Sequence, residues 1–294
     1  MRIGWIGAGK VGCSLGRYFA AHGICVSGYY SKRSASAREA AEITGSKAYP
    51  SMEELVRDSD AIFLTVPDGA IAPVWEQLKE LQISNKIICH CSGVLSSTIF
   101  SDIAAYGCSG YSVHPLLAVS SKQMPPEEFS KALFTIEGSV NLHDADASAE
   151  VWDLSLENQL AVLLESCGNR VIFLDAADKP RYHAAAVLAS NLVLALAESA
   201  REELVQCGFT SEEAVAALAP FMQANVAHLG SQSIEEALTG PVERGDAGTV
   251  RMHMDTLEGE NREIYRELSG KALAIAKRKH PERDYADLKV LLGD

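Results

Sequence analysis

The chain is short of positive charge. Its 26 lysines and arginines stand against 39 acids, for a net charge of −13. Nucleic-acid binding needs a basic face that displaces phosphate counterions, so this balance argues against that role. It leaves small anionic substrates open, because a pocket can be basic inside an acidic protein. Cysteines are scattered and number seven, an odd count that suits a reducing compartment better than a disulfide framework. Zinc-like spacing is also missing. Cys89 and Cys91 flank His90 in "KIICHCSG", but alternate strand residues point to opposite faces, so a buried strand is expected and no metal. Long apolar runs are few. The most apolar stretch, Ala184–Ala197, is shorter than a membrane span and contains Ser190 and Asn191. No leader-like segment precedes the first strand-like run, "MRIGWIGAG", and a soluble cytoplasmic protein is expected.

What is present divides in two. A chain of 294 residues suits two domains. The first half alternates apolar runs ("RIGWIGAG", "ICVSGYY", "AIFLTVP", "KIICHCSG", "GYSVHPL") with helical stretches at Val11–His22, Ser34–Thr44 and Met52–Val56. That alternation predicts a parallel sheet with crossover helices. Two further strands, "LFTIEG" and "RVIFLD", bracket a helical segment from Ala145 to Cys167 that stops at Gly168. After Asp175 the strand signals fade. A helix is expected from Pro180 to about Cys207, with Gly208 beyond it. Thr210 and Glu213 have the spacing of a capping box, and Pro220 is expected to kink or divide the helix that follows. Later helices are placed at Ile234–Leu238, Thr249–Leu257 and Glu260–Lys279. The expected architecture is an α/β Rossmann-type parallel-sheet domain over 1–175, then an all-α domain over 176–294.

"GAGKVG" supplies Gly7, Gly9 and Gly12 in G-x-G-x-x-G spacing, after a strand and at the start of a helix. Gly7 allows the tight turn, Gly9 the approach of a pyrophosphate and Gly12 the packing of helix on strand. Ala8, Lys10 and Val11 complete the loop. The alternative is a glycine turn with no ligand. A dinucleotide site that selects NAD usually has an acid near the end of the second strand. Here Ser31, Lys32, Arg33 and Ser34 stand there instead, two hydroxyls and two cations that suit a 2′-phosphate and favour NADP. Thr65, Val66 and Pro67 of "LTVPDGAI" and Ser92 of "HCSG" follow later strands and are expected to line the cofactor. "VHPL" puts His114 at a further strand end, where it could equally be packing or turn structure.

These residues resemble a known group. "IGWIGAGKVG", "TVPD", "HCSG" and "HPL" are similar to the NADP-binding domain of the 6-phosphogluconate dehydrogenase-like superfamily, which includes pyrroline-5-carboxylate reductases and β-hydroxyacid dehydrogenases. "KPRYHAAAVLASN" and "ALTGPVERGDAGTVRMH" resemble a helical domain of unknown function that follows such a Rossmann-like domain in bacterial proteins labelled NADP oxidoreductases. The resemblance implies NADP as cofactor and oxidoreductase activity. It departs at one place. The β-hydroxyacid dehydrogenases use a Lys and, four residues later, an Asn; here Lys179 is followed four residues later by His183, so the hydroxyacid substrate class does not carry over.

The expected active site lies in a cleft between the domains and acts on a small anionic carbonyl or imine compound. Lys179 and His183 fall one helical turn apart and are the expected acid/base pair, ahead of the plainer reading of a solvated cation and a core histidine. Asn191, Thr239 and Arg244 are the expected substrate contacts, Arg244 as a carboxylate or phosphate clamp; the alternative is a turn in which Arg244 pairs with Asp246 or Glu243. The Ala- and Leu-rich helical half predicts a homodimer. The alternative function is an NADP- and metabolite-binding sensor or scaffold without turnover.

Overall fold

The computed structural model describes residues 1–81, 83–138 and 156–293. They form two compact units, Met1–Ser190 and Asn191–Asp294. The division falls after Ser190, not near Asp175. The helix opening at Lys179 groups with the first unit, because Lys179 is buried and its amine bonds to residues of the sheet.

The first unit runs β1 (Arg2–Ile6), α1 (Lys10–Ala21), β2 (Cys25–Tyr30), α2 (Ser34–Thr44), β3 (Lys47–Ala48), α3 (Met52–Asp58), β4 (Ala61–Leu64), α4 (Asp68–Glu80), β5 (Ile87–His90), β6 (Ser109–Pro115), α5 (Pro126–Phe129), β7 (Leu133–Gly138), α6 (Leu156–Ser166), β8 (Arg170–Phe173) and α7 (Lys179–Leu188). One sheet holds all eight strands in the order β3-β2-β1-β4-β5-β6-β7-β8. Strands β1 to β6 are mutually parallel, as the alternating pattern predicts. β7 pairs antiparallel with β6, and β8 pairs parallel with β7.

Strands β4 and β5 are buried at every residue, the mark of a sheet covered on both faces. Strand periodicity then sorts their side chains into two cores. Ile3, Trp5, Ala61, Phe63, Ile87 and Cys89 join one, with Tyr18 and Phe19 of α1. Ile6, Ile62, Leu64 and Ile88 join the other, with Trp75 and Leu78 of α4. The helix expected over Ala145–Cys167 is observed as α6; residues 139–155 lie outside the described residues. Gly168 follows at φ 88°, a left-handed stop.

The second unit is helical: α8 (Asn191–Gln206), α9 (Ser211–Ala227), α10 (Ile234–Ala237), α11 (Pro241–Arg244), α12 (Ala247–Thr256), α13 (Gly259–Lys279) and α14 (Ala286–Leu292). Its core is Val250, Met254, Leu273, Ala276 and Leu288 with their neighbours. Two expectations are corrected. The helix from Pro180 to Cys207 is broken at Ala189–Ser190 into α7 and α8. Pro220 does not divide its helix, since α9 runs on to Ala227. The capping box of Thr210 and Glu213 is formed. Helix α8 has no buried residue, and Leu192, Leu194 and Leu196 are exposed on it, as are Val215, Phe221 and Val226 on α9. Residues 176–206 reach the length and apolarity of a membrane-crossing helix, although the apolar run alone reads as shorter.

Candidate functional site

The glycine loop is built by close approach. Gly7 has φ 106°, which strains any other residue, and its N–H donates to Tyr30 O at 2.9 Å, tying the loop to the end of β2. A Cβ on Gly7 would sit 2.5 Å from Thr65 O, and one on Gly12 would collide with Thr65 Oγ1 and Gly7 O. The Thr65 hydroxyl donates to Gly7 O at 2.9 Å. Thr65 therefore holds the loop from the end of β4, a role the motif alone does not reveal. Ala8 is buried, Val11 half-buried, and Gly9 and Lys10 are exposed. Gly9 caps α1 without a side-chain bond, and the first turn carries no acid. Free amides and the positive end of the helix dipole thus face solvent there, a surface suited to a phosphate.

At the end of β2 Ser31 is half-buried, and Lys32, Arg33 and Ser34 are exposed where α2 begins. Neither cation makes an ion pair among the described residues. Val66 is half-buried and Pro67 is exposed at the start of α4.

A second group of polar side chains collects at the carboxyl ends of β5 and β6, where open α/β sheets place ligands. Lys179 opens α7 with its side chain turned into the protein. Its amine donates to Ser92 O at 2.9 Å and to Ser112 Oγ of β6 at 2.5 Å. Burial lowers its pKa to about 8, against the opposing pull of the Glu137 carboxylate. Ser92 is held from a second side, its hydroxyl donating to Asp68 Oδ2 at 2.9 Å. Glu137 of β7 is buried and accepts from Ser97 N at 2.7 Å, Ser97 Oγ at 2.8 Å and Ser96 Oγ at 3.2 Å. The loop after β5 is thereby pinned at both ends.

Three histidines surround it. His90 accepts from Ser92 N through Nδ1 at 3.2 Å, and burial lowers its pKa to about 4. It shapes the turn. Burial pushes the Cys91 thiol up to about 12, and among the described residues no three metal-ligating side chains are placed to hold an ion. His114 Nδ1 lies 2.8 Å from the Tyr182 hydroxyl, and burial, reinforced by the Lys179 charge, lowers its pKa to about 4. His183 is half-buried, and its Nδ1 is sealed from solvent without a partner among the described residues. The sequence reading brings Lys179, His183 and Ser92 to this place but misses Tyr182 and Glu137. The run "RYH" is the only signal for Tyr182, and nothing local marks Glu137.

The remaining expected residues lie in the second unit. Asn191 is exposed at the start of α8; Thr239 and Arg244 are exposed around α11. Arg244 makes no ion pair among the described residues. Its neighbours take the structural roles instead. Glu243 Oε1 meets His280 Nε2 at 2.6 Å, and the Glu243 carbonyl accepts from Arg283 Nη1 at 2.6 Å and Tyr285 OH at 2.9 Å. Asp246 caps α12, accepting from Thr249 N at 3.0 Å and Thr249 Oγ1 at 2.7 Å.

Solved structures share this fold across nearly the whole chain. Protein TM1727 from Thermotoga maritima is 26% identical, with a TM-score of 0.69, covering 95% of this chain and 99% of its own. A Bacteroides fragilis protein named as a candidate NADP oxidoreductase is 20% identical, with a TM-score of 0.69, covering 93% of this chain and 98% of its own. The Plasmodium falciparum pyrroline carboxylate reductase, solved with NADP bound, is 15% identical, with a TM-score of 0.57, covering 94% of this chain and 98% of its own. No curated protein matches the sequence. Residues 1–115 match the Rossmann-like domain, and residues 149–272 match the domain of unknown function DUF2520. The chain joins a Rossmann-like domain to a DUF2520 domain.

Proposed function

We propose that this chain is an NADP-dependent oxidoreductase, working as a reductase on a small anionic carbonyl or imine metabolite. One observation carries the reading. A single compact unit holds both a glycine loop with uncapped helix amides and, at the ends of β5 and β6, the group of Lys179, His183, His114 and Tyr182. The residues fit the cofactor. Gly9 leaves room at the helix start, Gly7 and Gly12 let the loop close on Thr65, and Lys32 and Arg33 are cations with no ion pair among the described residues, where a 2′-phosphate needs them. NADP named on a bound relative, the Plasmodium falciparum reductase, supports the same choice.

When bound, the reduced nicotinamide supplies a hydride to the acceptor carbon. The chain must hold the acceptor and provide one proton. His183 is the first candidate donor, because its Nδ1 has no partner among the described residues. Lys179 is the second member of the pair, with an amine that titrates near 8. Arg244, with Thr239 and Asn191, is the proposed grip on the anionic part of the substrate.

The sensor reading draws on Lys179 too. An amine already bonded to Ser92 O and Ser112 Oγ can be a clamp and nothing more. Turnover separates the two readings. The purified protein is incubated with NADPH and a panel of oxo acids, imines and lactams, and nicotinamide absorbance is followed. Substrate-dependent loss of the reduced form supports the enzyme; binding of NADPH without loss across the panel supports the sensor.

A further inference from the structure

Two opposite charges are buried in the first unit without touching. Glu137 of β7 and Lys179 at the start of α7 are both almost wholly buried. A buried charge is costly unless an opposite one compensates it. Yet the Lys179 amine donates only to neutral oxygens, Ser92 O at 2.9 Å and Ser112 Oγ at 2.5 Å. The Glu137 oxygens likewise accept only from neutral donors, Ser97 N at 2.7 Å, Ser97 Oγ at 2.8 Å and Ser96 Oγ at 3.2 Å. Neither makes an ion pair among the described residues.

Strand register brings the two together. Ser112 of β6 pairs with His90 of β5 on one side and with Glu137 of β7 on the other. Residues directly opposite on antiparallel strands share a face, with Cβ atoms about 5 Å apart. Ser112 therefore neighbours the carboxylate across the strands while its oxygen holds the amine. Its one hydrogen goes to Ser92 O at 3.1 Å, so none is left for Glu137. The carboxylate acts on the amine across Ser112, through a water-poor interior that screens little.

The other groups around the amine are weaker partners. The Cys91 thiol, pushed up to about 12, and the Tyr182 phenol, raised by burial, keep their protons near neutrality. His90 and His114, both lowered to about 4, are uncharged there. His183, one turn along α7, supplies no negative charge. Asp68 is exposed to screening water, and its Oδ2 takes the Ser92 hydroxyl. Of the charges that oppose burial at Lys179, Glu137 pulls hardest, ahead of Cys91 and Asp68.

We propose that Glu137 is the counter-ion of Lys179, a positioning residue that supports the buried ammonium from across Ser112 and, through Ser96 and Ser97, fixes the far end of the loop whose first residue the amine holds. The catalytic consequence rests on the oxidoreductase reading. Lys179 can give a proton only as the ammonium, so its contribution is present below its folded pKa and lost as pH rises through it. Removing the Glu137 charge lowers that pKa and moves the loss to lower pH.

The test is nuclear magnetic resonance of the free protein labelled with nitrogen-15 in lysine, with Lys179 identified by its absence from Lys179→Met. The wild-type amine should titrate at about 8. Glu137→Gln should lower that midpoint by about one pH unit or more, at least tenfold in proton affinity. Glu137→Asp, which keeps the charge, should restore most of it, and Asp68→Asn should shift it less than Glu137→Gln does. An unchanged midpoint in Glu137→Gln, or an equal fall in Glu137→Asp, overturns the proposal. Should Glu137→Gln not fold, Glu137→Gln/Lys179→Met leaves no lone charge and must regain a cooperative melting transition; a double variant that stays unfolded overturns the counter-ion. The titration needs neither cofactor nor substrate. The expected shift without turnover of any compound therefore contradicts the oxidoreductase reading and leaves the charge pair standing. With turnover, the alkaline limb of kcat should move to lower pH in Glu137→Gln by the same amount as the midpoint.

Discussion

The amine of Lys179 lies 2.9 Å from the carbonyl oxygen of Ser92, eighty-seven residues earlier in the chain. The Ser92 hydroxyl donates in turn to Asp68, so one serine is held from α7 and from α4 at once. A buried amine in that position leaves a mark on stability. Folded Lys179 titrates at about 8, against 10.5 for an ordinary lysine. Between those values the folded chain binds fewer protons than the unfolded one, so this group makes stability rise with pH. Below pH 8 the charge is buried in full, at a cost on the order of 3 kcal/mol. Buried tyrosines and cysteines, whose values are raised, act in the opposite direction over the same range. The measurement is therefore the difference between wild type and Lys179→Met in denaturant unfolding. It should move in favour of wild type from pH 8 to 10.5; a flat difference contradicts the burial of a titrating amine.

Cofactor choice should follow the end of β2. Lys32 and Arg33 are exposed and unpaired among the described residues, so a 2′-phosphate can reach both. A charge-assisted bond contributes about 1.5–3 kcal/mol, so losing both cations should cost at least tenfold in preference for NADPH over NADH. Calorimetric titration of wild type and Lys32→Ala/Arg33→Ala with each cofactor reads this. Equal affinity of wild type for the two rules the assignment out.

How much of this was legible depends on the range of the forces involved. The glycine motif is local in part: φ 106° at Gly7 and the approach of Gly12 to Gly7 O are demands of a few consecutive residues, whereas the Thr65 contacts that close the loop come from the end of β4. Strand and helix periodicity exposed β1, β2, β4, β5 and β6 in the same way, while the two-residue β3 is too short to show a period. The antiparallel turn of β7 is not local, because its apolar run "LFTIEG" reads alike in either direction. The break at Ala189–Ser190 carries no glycine or proline to announce it. Glu137 is a lone acid until folding brings it to Ser96 and Ser97, some forty residues away in the chain. The placing of Lys179 beside Ser92 and Ser112 likewise appears only when α7 packs on the sheet.

The acid/base assignment predicts unequal effects. Once a substrate is identified, His183→Gln should lower kcat by roughly 10²–10⁴ while NADPH affinity changes little. Lys179→Met should lower kcat as well and, because it removes two buried bonds, should also lower the melting temperature. Near wild-type turnover in both variants means that these polar side chains are structural.

The second unit should associate with another copy of itself. Leu192, Leu194 and Leu196 on α8 and Val215, Phe221 and Val226 on α9 are exposed large apolar side chains on two helices with almost nothing buried. Each contributes about 1.5–3 kcal/mol when fully covered, so leaving both helices in water is costly. Sedimentation at micromolar concentration should give a species near twice 31.6 kDa, and Leu194→Glu/Phe221→Glu should shift it to the monomer. A wild-type protein that sediments at 31.6 kDa, or that partitions into lipid vesicles instead, contradicts the dimer.

Hydride transfer is the centre of the account, and isotope transfer tests it most directly. The protein is mixed with NADPH carrying deuterium at both C4 positions and with each carbonyl compound of the panel in turn. The product is then weighed by mass spectrometry. The account predicts one deuterium, bonded to the former carbonyl carbon, and an equal quantity of NADP⁺. Recovery of every such compound unchanged beside fully reduced, tightly bound NADPH contradicts it and identifies a protein that binds the cofactor without using it.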